Sequence, residues 1–501
     1  MPATANSFTP LSVRPHPHLI EIPAWTWLEE LSQRQGHSLT LAGVPDPEWD
    51  RLRGLGFDLV WLMGVWKRSR ASRRVFLSNP SRFADYDRAL PGWKLADVVG
   101  SPYAIAKYQP DSRIGTWREI DAVRRKLRDR GMGLVLDFVS NHTALDHPWV
   151  GAHPEYYLEG TEQDFQRDPG NFTLMEQPGG KFRFLARGRD PYFPSWADTA
   201  QLNHFQPATR AALVDVVREL ARHADGLRCD MAMLALNDIF AGVWPRFRPS
   251  TGPSEEFWPA AIGAAPELIW LAEAYWDTET RLQQLGFHYA YDKRFYDAIC
   301  AGSAAGLRQH LTADFGYQQR LARFLENHDE QRAATVFAGR MQAPATLAAT
   351  APGLRFYFHG QLDGRRIHQP VELARAAQEP ADAEARSLYQ RLLAITNEEA
   401  FHTGRWSLLE AGSAGNGSNQ NLIAYQWRSS KSWKLVAANL SGQTSDGRIA
   451  LGNAATGAGH WVLSDQLNGV DYARPSAELA GGLYIRLDPW RAHVFDVSPG
   501  H

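Results

Sequence analysis

Short apolar runs alternate with amphipathic stretches along most of the chain, as far as about residue 398. The runs have the length of strands buried on both faces, and the stretches between them carry helical periodicity. Regular alternation of strands and helices favours a parallel sheet, and eight strands favour closure into a (β/α)8 TIM barrel. A further short run, Ser101–Ile105, is interpreted as a loop that delivers a side chain. The eight expected barrel strands are His18–Trp25, Phe57–Gly64, Leu134–Val139, Gly226–Ala232, Leu268–Ala274, Phe287–Tyr291, Phe324–Glu326 and Leu354–His359.

Two of the intervening helices carry clear start signals. A Thr-Trp-Arg-Glu capping box opens the stretch Thr116–Arg130, and Gly131 is expected to end it. The stretch Pro207–His223 begins with proline in its first turn and places apolar residues on one face. Both helices would pack against the outside of the barrel.

Two parts of the chain depart from this alternation. Residues 143–206 are rich in Gly, Pro, Asp and aromatic residues, so we expect an inserted domain that folds over the barrel rim. After about residue 399, short alternating runs separated by Gly, Ser and Asn turns predict an antiparallel β-sandwich. We therefore expect a barrel at 1–142 and 207–398, an inserted domain at 143–206, and a C-terminal β-sandwich at 399–501. The expected β-sandwich strands are Asn421–Trp427, Trp433–Asn439, Gly447–Leu451, His460–Ser464 and Leu483–Leu487.

Composition narrows the partners and the compartment. Lys and Arg number 53 against 55 Asp and Glu, a net charge of −2, which gives no reason to expect nucleic acid as a partner. No apolar run reaches the length of a membrane span, and the segment Met1–Pro17 lacks the apolar core of a signal peptide. The chain has only two cysteines. We expect a cytoplasmic protein with no membrane partner.

Carboxylates stand near the C-terminal ends of four predicted strands. They are Asp137, Asp230, Glu273 and Asp329. A carboxylate so close to a buried strand is unfavourable unless it is paired or used. Because the rim at the strand ends is where such barrels hold their active sites, four carboxylates there indicate a catalytic cleft. A chance placement explains any one of them, but the four together, with basic and amide residues at fixed offsets, favour a site.

Cleavage of a sugar acetal needs two carboxyl groups in different states. One must attack or stabilise the anomeric carbon, and the other must donate a proton to the leaving oxygen. Asp230 fits the first role because Arg228, two residues earlier on the same strand face, would keep it ionised. Glu273 fits the second because the apolar Ile-Trp-Leu-Ala before it would raise its pKa. Asp329 and Asp137, with neighbouring histidines, offer hydrogen bonds to sugar hydroxyls.

These motifs resemble the signatures of the α-amylase family, glycoside hydrolase family 13. The runs 137–142, 226–230 and 327–329 resemble its first, second and fourth signatures, and Glu273 matches the third. The run 201–203 resembles an additional signature at the end of the long loop. The resemblance covers nearly the whole chain, and it implies that the loop at 143–206 is the family's domain B.

The resemblance also implies a role for each residue. It makes Asp230 the nucleophile, Glu273 the acid/base and Asp329 the stabiliser of the transition state, and it implies that Tyr103 stacks under the bound sugar. A small-molecule α-glucoside is the implied substrate. The expected substrate-binding residues are Tyr103, Asp137, His142, Arg228, Asn327 and His328.

Three positions depart from the family pattern. Met233 replaces a lysine that in many starch-acting members binds a distant sugar. Leu234 replaces a histidine that in those members binds calcium through its backbone. Met231, after the nucleophile, matches neither usual choice for α-1,4 or α-1,6 activity. Asn141 keeps one calcium-ligand position. We therefore expect no cofactor and no metal, with calcium as the alternative, and activity on short α-glucosides through a covalent glycosyl-enzyme intermediate.

Other functions remain open at this point. Within the family they are glycosyl transfer and isomerisation, as in trehalose-synthase-like or phosphorylase-like enzymes. The basic stretch Lys67–Arg74 would suit a charged acceptor, but a solvated loop is the favoured interpretation. An alternative of another class is a non-catalytic carbohydrate-binding barrel, which the retention of all three carboxylates disfavours.

Overall fold

The computed structural model describes residues 11–177, 180–452 and 459–500, so most of the segment Met1–Pro17 lies outside the described residues. Eight parallel strands close into a barrel in which each strand pairs with its neighbours in chain order, and the last pairs with the first. The predicted fold class is confirmed. The barrel strands are β1 (His18–Pro23), β2 (Leu59–Met63), β3 (Gly133–Val139), β4 (Gly226–Asp230), β5 (Ile269–Ala272), β6 (Tyr289–Tyr291), β7 (Leu321–Arg323) and β8 (Leu354–Phe358).

Strand β7 lies three residues earlier than the sequence pattern predicts. The pattern placed the strand at Phe324–Glu326, but these residues form the loop that follows Arg323. The pattern failed because β7 ends in a charged residue. Arg323 is buried, and its Nε donates to Asp292 Oδ2 at 3.1 Å, which satisfies the charge inside the fold.

Side chains alternate between the inside and the outside of the barrel. Leu59, Trp61 and Val135 belong to a buried cluster inside it, whereas Val60 and Leu62 pack with the surrounding helices. This two-residue period is the geometry of a strand covered on both faces. Helices surround the barrel and connect its strands, and shorter helices lie in the other parts of the chain. The helices are Ala24–Gln35, Asp46–Gly54, Arg70–Leu77, Phe83–Ala89, Trp117–Arg128, Pro148–Ala152, Glu162–Arg167, Pro207–Ala221, Asn237–Val243, Phe257–Gly263, Glu279–Gln284, Lys293–Cys300, Ala304–Leu311, Phe315–Gln318, Ala333–Val336, Gln342–Thr350, Ala383–Thr396, Ala400–Thr403 and Ser476–Ala480.

The two predicted start signals act as expected. Thr116 and Glu119 form the capping box of helix Trp117–Arg128, and the Thr116 N–H donates to Glu119 Oε2 at 2.6 Å. Helix Pro207–Ala221 begins with the predicted proline. Both helices end two residues before the predicted limit.

The segment at 143–206 carries its own small sheets. A three-stranded antiparallel sheet has the order Glu159–Gly160, Lys181–Ala186, Phe172–Gln177. A second pair, His142–Ala144 and Thr199–Gln201, ties the beginning of the segment to its end. This pairing makes the inserted segment leave and rejoin the barrel at one place, beside the end of β3. A further strand pair, Trp66–Arg68 with Ile105–Pro110, lies outside the barrel, and Tyr103 precedes it in a loop, as expected.

The C-terminal part consists of two antiparallel sheets, as predicted, and it contains strands that the pattern missed. It packs on helix Gln342–Thr350 of the barrel, where the Trp427 Nε1–H donates to the Thr350 carbonyl at 2.8 Å. Residues of both parts belong to one continuous buried cluster. Among the described residues, no helix is both long and apolar enough to cross a bilayer. The six-stranded sheet has the order Arg405–Leu409, Leu422–Arg428, Trp433–Asn439, Ala492–Pro499, His460–Asp465, Val470–Pro475, and the three-stranded sheet has the order Ala411–Gly412, Ser445–Ile449, Leu483–Leu487.

Candidate active site

A cleft of about 700 Å³ opens at the carboxyl ends of the barrel strands. Five of the predicted site residues contribute to its walls, namely Tyr103, His142, Asp230, Glu273 and Asp329. Residues from loops far apart in the chain therefore meet at one rim because parallel strands end at the same edge of the barrel.

One guanidinium joins the two carboxylates at the ends of β4 and β5. Arg228 is fully buried, and its Nη1 donates to Asp230 Oδ1 at 2.6 Å. Its Nη2 lies 2.8 Å from Glu273 Oε2, as an ion pair without the alignment of a hydrogen bond. Because both carboxylates contact one planar group, they are held close together, as in glycosidases that retain configuration.

The two carboxyl groups differ in how strongly they hold a proton. Burial raises the pKa of Glu273 to about 7, although Arg228 acts in the opposite direction. Burial also raises the pKa of Asp230, and the charge and the hydrogen bond of Arg228 oppose this shift. Glu273 accepts hydrogen bonds from the Met231 N–H at 2.6 Å and from the Tyr275 hydroxyl at 3.0 Å. Near neutral pH, Glu273 is therefore the group of this pair that is suited to donate a proton.

Met231 has an uncommon backbone conformation that serves this contact. Its φ is 41°, in the left-handed region that residues other than glycine rarely adopt. The conformation turns the chain directly after Asp230 and presents the Met231 N–H to Glu273. Such strain persists where the surrounding structure enforces it, commonly at functional sites.

A second charged group lies at the end of β7. The His328 Nδ1–H donates to Glu21 Oε1 at 2.6 Å, and Nε2 lies 3.0 Å from Asp329 Oδ2 and 2.7 Å from the Tyr103 hydroxyl. Although burial acts in the opposite direction, Asp329 and Glu21 hold the pKa of His328 well above its usual range. Burial also opposes ionisation of Asp329, but the His328 imidazolium lowers the Asp329 pKa to about 2. Asp329 is thus a fixed anion, and 49% of its side chain remains exposed.

His142 supplies a neutral imidazole on the opposite wall. Burial lowers its pKa to about 3, so the ring is uncharged at neutral pH. The ring centroid lies 4.9 Å from that of Trp196 in the inserted domain. The inserted domain therefore forms part of the wall beside the residue at which it leaves the barrel.

Four predicted substrate-binding residues do not line the cleft. Asp137 is buried, and its carboxylate accepts from the Trp61 Nε1–H at 3.0 Å and the Gly64 N–H at 2.8 Å. Asn327 Oδ1 accepts hydrogen bonds from the backbone N–H groups of Asp329 and Glu330, each at 2.9 Å. Arg228 and His328 lie beneath Asp230 and Asp329 and act through them. The sequence could not show that nearby protein groups engage these four side chains.

The side chain at the candidate calcium position is hydrogen-bonded within the protein. The Asn141 Oδ1 accepts a hydrogen bond from Gln201 Nε2 at 3.0 Å, and both side chains are buried. Among the described residues, no group of three or more His, Cys, Asp or Glu side chains could hold a metal. The Asn141 oxygen, a type of ligand that a hard cation prefers, therefore already serves as a hydrogen-bond acceptor inside the protein.

Both cations of the cleft lining are already paired with carboxylates. Lys293 Nζ lies 2.6 Å from Asp297 and 3.1 Å from Glu330. Arg294 Nε lies 2.5 Å from Asp277 Oδ1. The lining therefore offers no unpaired Lys or Arg to an anionic substrate, within the part of the chain that is described.

The basic stretch Lys67–Arg74 does not reach the cleft. None of its residues belongs to the cleft lining. Arg68 donates to the carbonyl of Gly100, and Arg73 donates to the carbonyls of Val98 and Leu95. These guanidinium groups bind the backbone of a neighbouring loop, which disfavours a phosphate grip. The stretch is not the expected solvated loop either, because Arg68 is buried and the stretch belongs to strand Trp66–Arg68 and helix Arg70–Leu77.

Sequence reasoning missed several residues of the site. Glu21 is buried in β1 and fixes His328, and a lone charge in an apolar strand could have marked it. Tyr275 and Trp276 follow Glu273 closely but carry no pattern that separates them from core aromatics. Phe193, of which 71% is exposed, comes from the inserted domain and could not be assigned to the cleft without the fold.

Comparisons with known proteins agree with this geometry. Residues 38–240 match the family model described as "Alpha amylase, catalytic domain". Alpha-amylase 3 of Dictyoglomus thermophilum is 22% identical over 287 residues, which cover 52% of this chain and 53% of that protein. The chain thus spans about half the length of this relative.

Two further matches extend over nearly the whole chain. Alpha-1,4-glucan:maltose-1-phosphate maltosyltransferase 2 of Streptomyces coelicolor is 25% identical over 507 residues, covering 94% of this chain and 67% of that protein. The crystal structure of the noncanonic maltogenic alpha-amylase AmyB from Thermotoga neapolitana superposes with a TM-score of 0.67 at 19% identity. It covers 97% of this chain and 99% of that one, which shows a shared fold.

Proposed function

The chain belongs to the α-amylase family, and from this premise we propose that it cleaves short α-glucosides with retention of configuration. The observation that carries the proposal is the buried guanidinium of Arg228 between Asp230 and Glu273. It holds a nucleophile and a proton donor within one planar contact, as a double-displacement reaction requires.

The reaction divides between the two carboxyl groups. Asp230 attacks the anomeric carbon while protonated Glu273 gives its proton to the glycosidic oxygen, so the C–O bond breaks and the first product leaves. Glu273, now ionised, takes a proton from water, and the resulting oxygen nucleophile displaces Asp230 and releases the sugar. Asp329, held ionised by His328, stabilises the positive charge that develops on the sugar ring.

The stereochemical outcome tests the proposal directly. Proton NMR at early times should show the α-anomer as the first product of an α-glucoside. Because α/β exchange in water is slow relative to a fast enzymatic reaction, enough enzyme must be used to see the initial anomer. A β-anomer formed first would contradict the two-step mechanism.

The size of the substrate is the second part of the proposal. Met233 is buried and takes the place of the lysine that binds a distant sugar in many starch-acting members, so longer chains gain little binding. The inserted domain brings Trp196 and Phe193 to the cleft wall beside His142, where they would limit the room for a longer substrate. The value of kcat/KM should be flat or fall from a disaccharide to a heptasaccharide, whereas a tenfold preference for maltoheptaose or starch would contradict this view.

Glycosyl transfer is a second candidate, because the maltosyltransferase of Streptomyces coelicolor matches 94% of this chain. Hydrolysis and transfer share the intermediate on Asp230 and differ only in the acceptor. The ion-paired state of Lys293 and Arg294 disfavours phosphate as that acceptor. Product analysis with maltose alone and with added sugar acceptors or phosphate separates the outcomes, since only transfer yields longer or rearranged sugars.

A further inference from the structure

A second cavity, of about 310 Å³, lies outside the catalytic cleft. One wall comes from the inserted domain, from helix Glu162–Arg167 and the turn after it, and the other wall is the segment Val243–Phe247. The two cavities share no lining residue. The second cavity is thus a separate feature of the junction between the inserted domain and the barrel.

Its charge is opposite to that of the catalytic cleft. Arg167, Arg189 and Arg246 line it, together with only two acidic side chains. The Asp164 carboxylate accepts hydrogen bonds from the N–H and the hydroxyl of Thr161, which caps its helix. It also lies 3.5 Å from Arg246 Nη1. Asp168 accepts a hydrogen bond from a neighbouring asparagine. Within the described ranges, no carboxylate forms an ion pair with Arg167 or Arg189.

Two buried hydrogen-bond donors in the lining lack an acceptor. Arg189 uses Nη2 to donate to the Val243 carbonyl at 2.9 Å, and its guanidinium lies 4.9 Å from the Trp244 ring centroid. Its Nε–H is buried without a partner. Trp244 is 4% exposed, and its Nε1–H is also buried without a partner among the described residues. Buried donors are nearly always satisfied in proteins, so these two call for an acceptor atom.

We propose that this cavity binds a small organic oxyanion, a phosphate ester or a carboxylate, between Arg167, Arg189 and Trp244. A guanidinium matches the oxygen geometry of both groups, and the unpaired indole N–H adds a further donor. The cavity has the volume at which small-molecule sites begin, which leaves room for an organic body beside the anionic group.

The site is connected to the catalytic cleft through one residue. Asp190 follows Arg189, and its Oδ1 accepts the N–H groups of Tyr192 at 2.6 Å and Phe193 at 2.9 Å. Asp190 and Phe193 both line the cleft. An occupant that fixes Arg189 therefore also restrains the turn that carries Phe193, and its binding changes the KM for the sugar more than it changes kcat.

Calorimetric titration of the full chain with inorganic phosphate, glucose 1-phosphate and succinate tests the proposal, because binding is measured without turnover. We expect saturable binding that weakens with added sodium chloride. Arg167→Gln and Arg189→Gln should each weaken it by about tenfold or more, since each removes a charged hydrogen-bond donor. Arg189→Lys should retain part of the affinity, because lysine keeps the positive charge but lacks the planar set of donors of a guanidinium.

Arg218→Gln is the matched control, because Arg218 is an exposed arginine of helix Pro207–Ala221 that lines neither cavity. Arg167 is exposed, so Arg167→Gln remains informative even if the change at Arg189 affects folding. The three probes distinguish phosphate from carboxylate ligands. The proposal is overturned if the unmodified chain binds none of them at millimolar concentrations, or if both glutamine variants bind like the control.

Discussion

The end of β5 and the end of β7 each carry a carboxylate into the same cleft, yet their surroundings have opposite effects. Glu273 is 3% exposed, and burial raises its pKa to about 7 despite Arg228. Asp329 is half exposed, and the imidazolium of His328 lowers its pKa to about 2. The difference arises because Asp329 pairs with the imidazolium of His328, which Asp329 and Glu21 together keep charged, whereas Arg228 divides its charge between two carboxylates.

This contrast shows how one rim provides both a proton donor and a permanent anion. The residue types alone, two carboxylic acids, do not determine the division. The environment determines which group is the donor and which is the anion, because a carboxylate that shares its cation with another carboxylate is less stabilised in its charged form.

Asp230→Ala removes the carboxylate that shares Arg228 with Glu273. We expect kcat to fall by about four orders of magnitude or more, because the nucleophile is lost. The pKa of Glu273 should fall at the same time, since Arg228 then serves Glu273 alone and a neighbouring negative charge is gone. Circular dichroism and the melting temperature check the fold. Near-normal turnover by this variant would refute the assignment of the site.

Glu21→Gln weakens the support of His328 while keeping the shape of the side chain. The His328 pKa should fall and the Asp329 pKa should rise, because the imidazolium loses one of its two carboxylate partners. We expect kcat to fall by about tenfold to a hundredfold, with the acid limb of the pH profile moving to higher pH.

Glu30→Gln is the control for this change. Glu30 lies on the helix that follows β1 and pairs with Arg365, away from the cleft. Its replacement should leave the pH profile unchanged. Equal effects of both variants on the profile would mean that Glu21 has only a general structural role.

The alkaline limb of kcat/KM reports the proton on Glu273. The limb should lie near pH 7, and the rate should fall as pH rises through it because the acid loses its proton. Tyr275→Phe removes a hydroxyl that donates to the carboxylate, so the Glu273 pKa and the limb should move upward. Tyr86→Phe is the control, since Tyr86 donates to Glu372 outside the cleft. A limb that moves downward in Tyr275→Phe would contradict this description of Glu273.

Removal of divalent cations should have the smallest effect. Burial and the charges of His328 and Arg228 account for the contrast between the two carboxylates, and the Asn141 oxygen already accepts a hydrogen bond from Gln201. Prolonged treatment with EDTA should therefore leave the melting temperature and the pH profile unchanged. A large drop in melting temperature that calcium alone restores would show that the ion belongs to the structure.

Much of the fold could be predicted because its signals are local. Eight strands could be counted from apolar runs. The four-residue capping box from Thr116 to Glu119 identified the start of a helix. The strand β7 was misplaced because its pattern includes Arg323, which only the distant Asp292 makes compatible with burial. The local strand propensity of a segment does not reveal a partner that is distant in the sequence.

The candidate site, like the fold, has a part that could be predicted from the sequence and a part that could not. The carboxylates Asp230, Glu273 and Asp329 could be found from strand ends, and the structure brings them to one cleft. Asp137 accepts hydrogen bonds from Trp61 and Gly64 and not from a substrate, because these two donors are its nearest neighbours in the fold. Orientation of this kind is settled by tertiary packing and not by spacing in the chain.

Helix Gln342–Thr350 decides how much of the chain must fold together. Its residues from Ala343 to Thr350 are all buried, so it has no face suited to water. Part of that cover is Trp427 and Tyr425, which come from the C-terminal sheets. We therefore expect that the barrel does not fold stably without the C-terminal sheets. Cutting the chain near residue 399 would expose an apolar helix and favour aggregation, whereas the intact chain should melt in a single cooperative transition.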